Sequence, residues 1–381
     1  MPHDTSTQVV NSGRIHELDA LRGLAALGVV FWHYRVDFHA RPLDVLLHPF
    51  YNAGFLLVDF FFVLSGFVIA RAYWRPSRQQ QFAGNIWARL ARLYPLHLLT
   101  LLVTVALLAS LPAGATDPAF RLPSNNLKHL LLHLMLLNQV GLQDGGWSFN
   151  VPAWSISTEF VTNVAFLAVI AMGVRMRWAC AVVLALGGAL LFGVLRPPLI
   201  DGQTAFGFWD VYLLRCMLGF GAGVVVYLAM QRGGFDRRAA AAPRLSEAIG
   251  LLSMAGLVGL MIASGRHPRI GDYMLSIAFS IGCVAFIPNS RILKSVLSWR
   301  PLVRLGEISY SIYLVHWPLQ LALYALSARS AMRLDYQSPA VLLLYTAGVI
   351  GVATWTYRHV ELPAQARLLA WAKRRRLPAA G

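Results

Sequence analysis

The chain is 381 residues long, with 57% of its positions apolar or aromatic and only 13% charged. Soluble domains carry about 25% charged residues, so this composition, with apolar runs of about 18 or more residues, excludes a disordered chain and argues against a soluble multi-domain enzyme. A formal net charge of +16 would suit a nucleic-acid binder, but in a polytopic membrane protein the excess Lys and Arg belong to the cytoplasmic loops, and no nucleic-acid partner is expected.

About 17 polar residues precede the first apolar run. That run is interrupted by Arg22 and followed by no small-residue cleavage pattern, so it reads as a retained span and not as a signal peptide. Ten segments are long enough to cross a bilayer: 18–36, 53–73, 90–110, 153–173, 178–195, 209–230, 246–264, 271–288, 309–328 and 339–358. The segment 128–140 gives only about 20 Å of helix against a core of roughly 30 Å, and is expected as an interfacial or re-entrant piece. The prediction is therefore an all-α polytopic helical bundle, with 1–17 as a cytoplasmic segment, 18–360 as the membrane domain and 361–381 as a basic cytoplasmic tail. With both termini inside, 22 basic residues fall in cytoplasmic segments and 9 in the opposite loops, which supports N-in, C-in.

Charged and polar groups inside spans are costly, and they are where function is sought. In the first span Arg22 lies about a turn from the cytoplasmic edge, and His33 is eleven residues on, about 16 Å deeper and on the same face. That spacing matches an extended phosphopantetheine arm, with phosphates on a guanidinium and a thioester near an imidazole suited to proton transfer. A snorkelling Arg22 and a His33 that merely bonds a neighbouring helix would also satisfy it. The second span carries Asp59, Ser65, Gly66 and Arg71; the Ser-Gly pair suits close helix approach, and the elbow expected around a serine nucleophile is absent.

Arg89 and Arg92 stand one turn apart at the entry to the third span, followed by Tyr94, Pro95 and His97. With Arg71, Arg75 and Arg78 they form a basic cluster that could grip phosphates or be a positive-inside loop. Before the fourth span, Trp147 and Trp154 read as interfacial aromatics. Glu159 follows, a carboxylate that needs a partner such as His33 or a substrate hydroxyl. In the ninth span Ser309, Tyr310, Tyr313 and His316 could line a cavity wall, or be interfacial aromatics with a structural histidine. Cys180, Cys216 and Cys283 show no disulfide or metal-ligand spacing, and no metal is expected. Neither a repeat nor paired broken spans are visible, which weakens a transporter reading.

The pieces LDALRGLAALGVVFWH, VDFFFVLSGFVIAR, RLARLYPLHLL, PAWSISTEF, LGEISYSIYLVHWPL and ELPAQAR, in this order, resemble acyltransferase family 3, bacterial integral-membrane acyltransferases of about ten spans. The resemblance implies transfer of an acyl group, usually acetyl from cytoplasmic acetyl-CoA, to a carbohydrate hydroxyl of a lipid-linked or exported glycan, in the bacterial cytoplasmic membrane. It implies His33 at the catalytic centre, Arg22 as its support or on the cofactor path, and Arg71, Arg89 and Arg92 in the donor region; Ser65 and Glu159 match motif positions, and Glu159 is expected with the catalytic group, Ser65 and Tyr94 with the donor site. Asp59, Trp154, Tyr310, Tyr313 and His316 are then expected toward the acceptor. Where family members often carry a second acid beside the glutamate, this chain has Thr158, so a paired-carboxylate mechanism is not expected. With about 20 residues after the last span, the fused extracytoplasmic domain of some members is not expected. His33 is then expected to act as general base or as transient acyl carrier. The rival reading is a transporter or flippase using Arg22, His33 and Glu159 as a pathway; within the enzyme class, the acceptor could be an antibiotic sugar or a peptidoglycan precursor.

Overall fold

The computed structural model describes residues 15–74, 81–112, 117–144, 146–172, 176–194, 204–205, 209–232, 235–264, 268–329 and 334–375. Arg75 and Arg78 of the expected basic cluster lie outside the described residues, as do 1–14 and 376–381 of the expected terminal segments.

The bundle opens with α1 (His16–Phe38), α2 (Asp44–Ala53), α3 (Leu57–Tyr73) and α4 (Phe82–Ala109). It continues with α5 (Leu127–Leu134), α6 (Trp154–Ala171), α7 (Met176–Val194), α8 (Val211–Arg232) and α9 (Phe235–Ala241). Then come α10 (Pro243–Ala263), α11 (Ile270–Phe286), α12 (Arg291–Leu297), α13 (Arg300–Glu307), α14 (Ser309–Arg329), α15 (Pro339–Thr356) and α16 (Leu362–Arg374). Uninterrupted apolar sequence in a medium without water favours helix, because each backbone donor finds its acceptor within the segment. Among the described residues the one departure from an all-helical fold is a two-residue antiparallel ladder pairing Thr204 with Asp210 and Ala205 with Trp209.

Among the described residues seven helical stretches are long and apolar enough to cross a membrane: Asp44–Tyr73, Phe82–Ala109, Val151–Ala171, Val211–Gln231, Pro243–Ala263, Ile270–Asn289 and Pro339–Arg374. The segments expected to span at 18–36, 178–195 and 309–328 are helical as well, as α1, α7 and α14, but fall outside that set. For α1 the reason is its charge, since it carries Glu17, Asp19, Arg22, Arg35 and Asp37. In α14 the apolar run is diluted by Ser309, Ser311, His316 and Gln320. Each of these two helices buries four polar side chains: Glu17, Asp19, His33 and Asp37 in α1, and Ser309, Ser311, His316 and Gln320 in α14. In the expected re-entrant piece only Leu127–Leu134 is helical; the Asn126 side chain caps its start through the His129 amide at 3.1 Å, and Leu136 turns the chain with φ of 58°.

At the centre, α1 packs on α3, α13 and α14, and α3 packs on α8 and α11, while α4 lies against α6, α14 and α16. Glycine permits the closest of these approaches. A Cβ at Gly66 of α3 would lie 1.9 Å from the Phe220 carbonyl oxygen, and one at Gly223 of α8 would lie 1.9 Å from that of Val63. Close backbone contact between small residues is how helices associate where lipid removes the hydrophobic drive. The Gly219-x3-Gly223 spacing in α8 puts both glycines on the face turned to α3.

Candidate active site

Two adjoining cavities lie toward the end of the bundle at which α1 begins. The outer one, about 330 Å³, is lined by Asp19 and Arg22 of α1, Arg71 of α3, Arg92 of α4, Glu307 and Glu361. Arg22, Leu64, Val68 and Arg92 also line the inner cavity of about 110 Å³, so the two share a wall. Glu361 sits on a π-helical turn, Tyr357–Glu361, between α15 and α16, and accepts from Ser311 Oγ at 3.0 Å. Single π turns of this kind break helical regularity and re-aim a side chain.

Arg22 is held firmly at the junction. Its Nε donates to Ser309 Oγ at 2.8 Å, and its Nη2 donates to the Gly306 carbonyl at 2.8 Å and pairs with Asp19 Oδ1 at 3.1 Å. Gly306 makes that geometry available, because its α-carbon sits so close to α1 that a Cβ would lie 2.0 Å from the Asp19 carbonyl oxygen.

In the inner cavity three helices meet at one carboxylate. Glu159 Oε1 of α6 accepts from Ser65 Oγ of α3 at 2.6 Å and from Arg89 Nη2 of α4 at 2.7 Å. An intramembrane carboxylate demands such partners, and Glu159 finds them in Arg89 and Ser65 rather than in His33. Tyr310 lines the same cavity and donates to the Leu93 carbonyl at 2.6 Å, tying α14 to α4. Tyr313 also lines it, and Ser155 Oγ donates to the Tyr313 hydroxyl at 2.8 Å. Apolar walls come from Phe61, Phe62, Leu64, Ile69, Leu93 and Ile156.

His33 lines neither cavity. It lies behind Tyr313: the Tyr313 ring is 5.9 Å from that of His316, and His316 Nε2 is 3.2 Å from His33 Nδ1. Both histidines are buried.

Other residues expected in the site lie elsewhere. Asp59 is buried against Arg215 of α8, Oδ1 to Nε at 2.7 Å, and the guanidinium also donates to the Phe55 carbonyl at 2.9 Å and covers the Tyr273 ring at 4.4 Å. Trp154 packs among Phe62, Trp147 and Tyr212 and does not line either cavity. Tyr94 points to the other side of α4, where its hydroxyl donates to the Leu134 carbonyl at 3.0 Å. The helical period accounts for this: Arg89, Arg92 and Leu93 share one face, and Tyr94, a further 100° round, leaves it.

Sequence reasoning assigned no role to Arg215, Ser155 or Gln320. Arg215 was legible in principle, since a lone arginine in one apolar span calls for a lone carboxylate in another, and Asp59 is that carboxylate. Ser155 and Gln320 carry no comparable signal. Among the described residues no cluster of three or more His, Cys, Asp or Glu side chains is placed to hold a metal ion.

A family model described as an acyltransferase domain matches residues 15–358. The chain is 29% identical over 320 residues to the acyltransferase MdmB of Streptomyces mycarofaciens, covering 80% of this chain and 78% of that protein. It is 26% identical to the putative peptidoglycan O-acetyltransferase YrhL of Bacillus subtilis, over 79% of this chain and 48% of that protein. It is 23% identical to the peptidoglycan O-acetyltransferase OatA of Listeria monocytogenes, over 92% of this chain and 55% of that protein. The chain thus spans about half the length of these two peptidoglycan relatives. No solved structure matches.

Proposed function

This chain belongs to acyltransferase family 3, and from that premise we propose that it transfers an acetyl or other short acyl group from cytoplasmic acyl-CoA to a carbohydrate hydroxyl. One observation carries the reading: a vestibule with Arg22, Arg71 and Arg92 on its wall adjoins a smaller cavity whose wall residue Tyr313 lies ring to ring 5.9 Å from His316, which in turn meets His33. Arginines grip phosphates through charge-assisted, often bidentate bonds. The inner cavity of about 110 Å³, walled by apolar side chains, suits the slender acyl end of a thioester. The peptidoglycan O-acetyltransferase relatives favour a glycan acceptor. The 22 to 9 bias of basic residues turns the vestibule toward the cytoplasm. With α1, α7 and α14 counted as spans, the chain crosses the bacterial inner membrane ten times.

In this mechanism Arg22, Arg71 and Arg92 bind the donor's phosphates, and Arg89, held by Glu159, completes the cationic wall. Tyr313 stands between the inner cavity and the histidines. His33 takes the proton of the acceptor hydroxyl as that oxygen bonds to the acyl carbon; the carbon–sulfur bond breaks, and His33 returns the proton to the leaving thiolate.

The test uses purified protein in detergent with acetyl-CoA and glycan fractions as acceptors. Acceptor-dependent thiol release is expected in the wild type, with a fall of about 10²–10⁴-fold in His33→Ala at unchanged protein level. Full activity of the variant would refute the assignment, and a transporter would consume no thioester. Mass spectrometry of surface glycans from a deletion strain identifies the acceptor.

A further inference from the structure

His33 and His316 face each other from α1 and α14, Nδ1 to Nε2 at 3.2 Å, with 4% and 0% of their surfaces exposed. Each also turns Nδ1 toward the carbonyl one helical turn back: Val29 at 3.3 Å from His33, and Ile312 at 3.2 Å from His316. A carbonyl oxygen can only accept, so Nδ1 of His316 carries its proton, and Nε2 of a neutral His316 is a bare lone pair. Nδ1 of His33 then faces two acceptors and carries a proton too. This assignment satisfies all three contacts with two neutral rings. The reverse tautomers would set ring lone pairs against carbonyl lone pairs.

We propose that His316 is the positioning residue for His33: it accepts the Nδ1 proton of His33, aims the ring, and so leaves the Nε2 lone pair of His33 free to take a proton. The inference rests on the reading of His33 as the base. When Nε2 of His33 becomes protonated, the lone pair of His316 lies against the Nδ1–H of the new imidazolium and shares its charge. In a hydrolase triad a carboxylate has that role; here Glu159 is engaged by Ser65 and Arg89 instead. A neutral partner has an advantage at this depth, since it avoids burying a second full charge beside the base.

The neighbouring turn holds the two rings in register. Asp37 and Gln320 each lie four residues beyond their histidine, on the same helix face. With the Gln320 amide nitrogen turned to Asp37 Oδ2 at 3.0 Å, its oxygen accepts from the Tyr34 amide at 3.0 Å. The Tyr345 hydroxyl adds a bond to the His316 carbonyl at 3.1 Å.

The test compares His316→Gln, His316→Asn and His316→Leu in the full-length protein. Glutamine places its Oε1 near the position of Nε2 and can still accept from His33; asparagine reaches only as far as Nδ1, and leucine cannot accept. Misplacement of a catalytic group by about 1 Å costs about 100-fold. The expected result is a kcat for thiol release from acetyl-CoA lowered about 100-fold in the Leu and Asn variants at unchanged KM, with the Gln variant within about tenfold of wild type. An equal loss in all three, or no loss in any, overturns the proposal. Nitrogen-15 NMR of histidine-labelled protein supplies a readout that packing alone would not give: His33, assigned by difference from His33→Ala, is expected with its proton on Nδ1. A proton on Nε2 overturns the positioning role, whereas a fully active His33→Ala overturns the reading of His33 as the base.

Discussion

Replacing Arg215 by leucine tests whether Asp59 belongs to the framework or to the substrate. The pair is withdrawn from solvent, at 2% and 0% side-chain exposure, with Nε 2.7 Å from Oδ1. Removing one partner of a buried pair costs about 3–5 kcal/mol, because the other charge is left uncompensated. Arg215→Leu also removes the 2.9 Å bond to the Phe55 carbonyl, worth about 1 kcal/mol more. Asp59→Leu should cost less, about 3 kcal/mol, because the guanidinium keeps Phe55 and the Tyr273 face, and such a cation–π contact contributes up to about 2 kcal/mol when desolvated. The double variant removes both charges, each unfavourable by about 2.5–3.5 kcal/mol at a membrane centre. It is therefore expected to be more stable than either single variant, with a coupling of about 2 kcal/mol or more. The assay is reversible unfolding in mixed micelles, paired with thiol release from acetyl-CoA. Additive single losses would refute the pairing argument, and a stable but inactive double variant would return Asp59 to the substrate.

The remaining predictions concern the donor site and the helix interface. Arg92→Gln is expected to raise the KM for acetyl-CoA about tenfold with kcat unchanged, the signature of lost uniform binding. Tyr94→Phe, outside both cavities, should leave KM unmoved and lower stability by about 1 kcal/mol through the lost Leu134 bond; a raised KM would place Tyr94 in the donor site after all. Gly66→Ala should cost about 1–3 kcal/mol by overpacking against Phe220. Gly348→Ala meets nothing within 4 Å and should be neutral or slightly stabilising in the same unfolding assay; equal effects of the two would refute the close α3–α8 contact.

Much of this protein could be read in one dimension. Runs of apolar residues dictate helices, since backbone groups removed from water must bond within their own segment, and all ten expected segments are helical. Of the costly residues in those runs, Arg22, Ser65, Arg89, Arg92, Glu159, Tyr310 and Tyr313 line one cavity. Partnership was a different matter. Glu159 was expected to pair with His33 or a substrate hydroxyl and instead holds Arg89 and Ser65, while Asp59 pairs with Arg215 and Tyr94 turns away. The physical reason lies in range. Helical period and hydropathy act within one segment, so composition and spacing carry them in full. Which charge meets which depends on how helices 70 to 280 residues apart along the chain are rotated and staggered, as the separations of the Arg89–Glu159 and His33–His316 pairs illustrate. Those rotations are decided by glycine contacts and side-chain packing between helices, and only the tertiary structure brings His316 to His33.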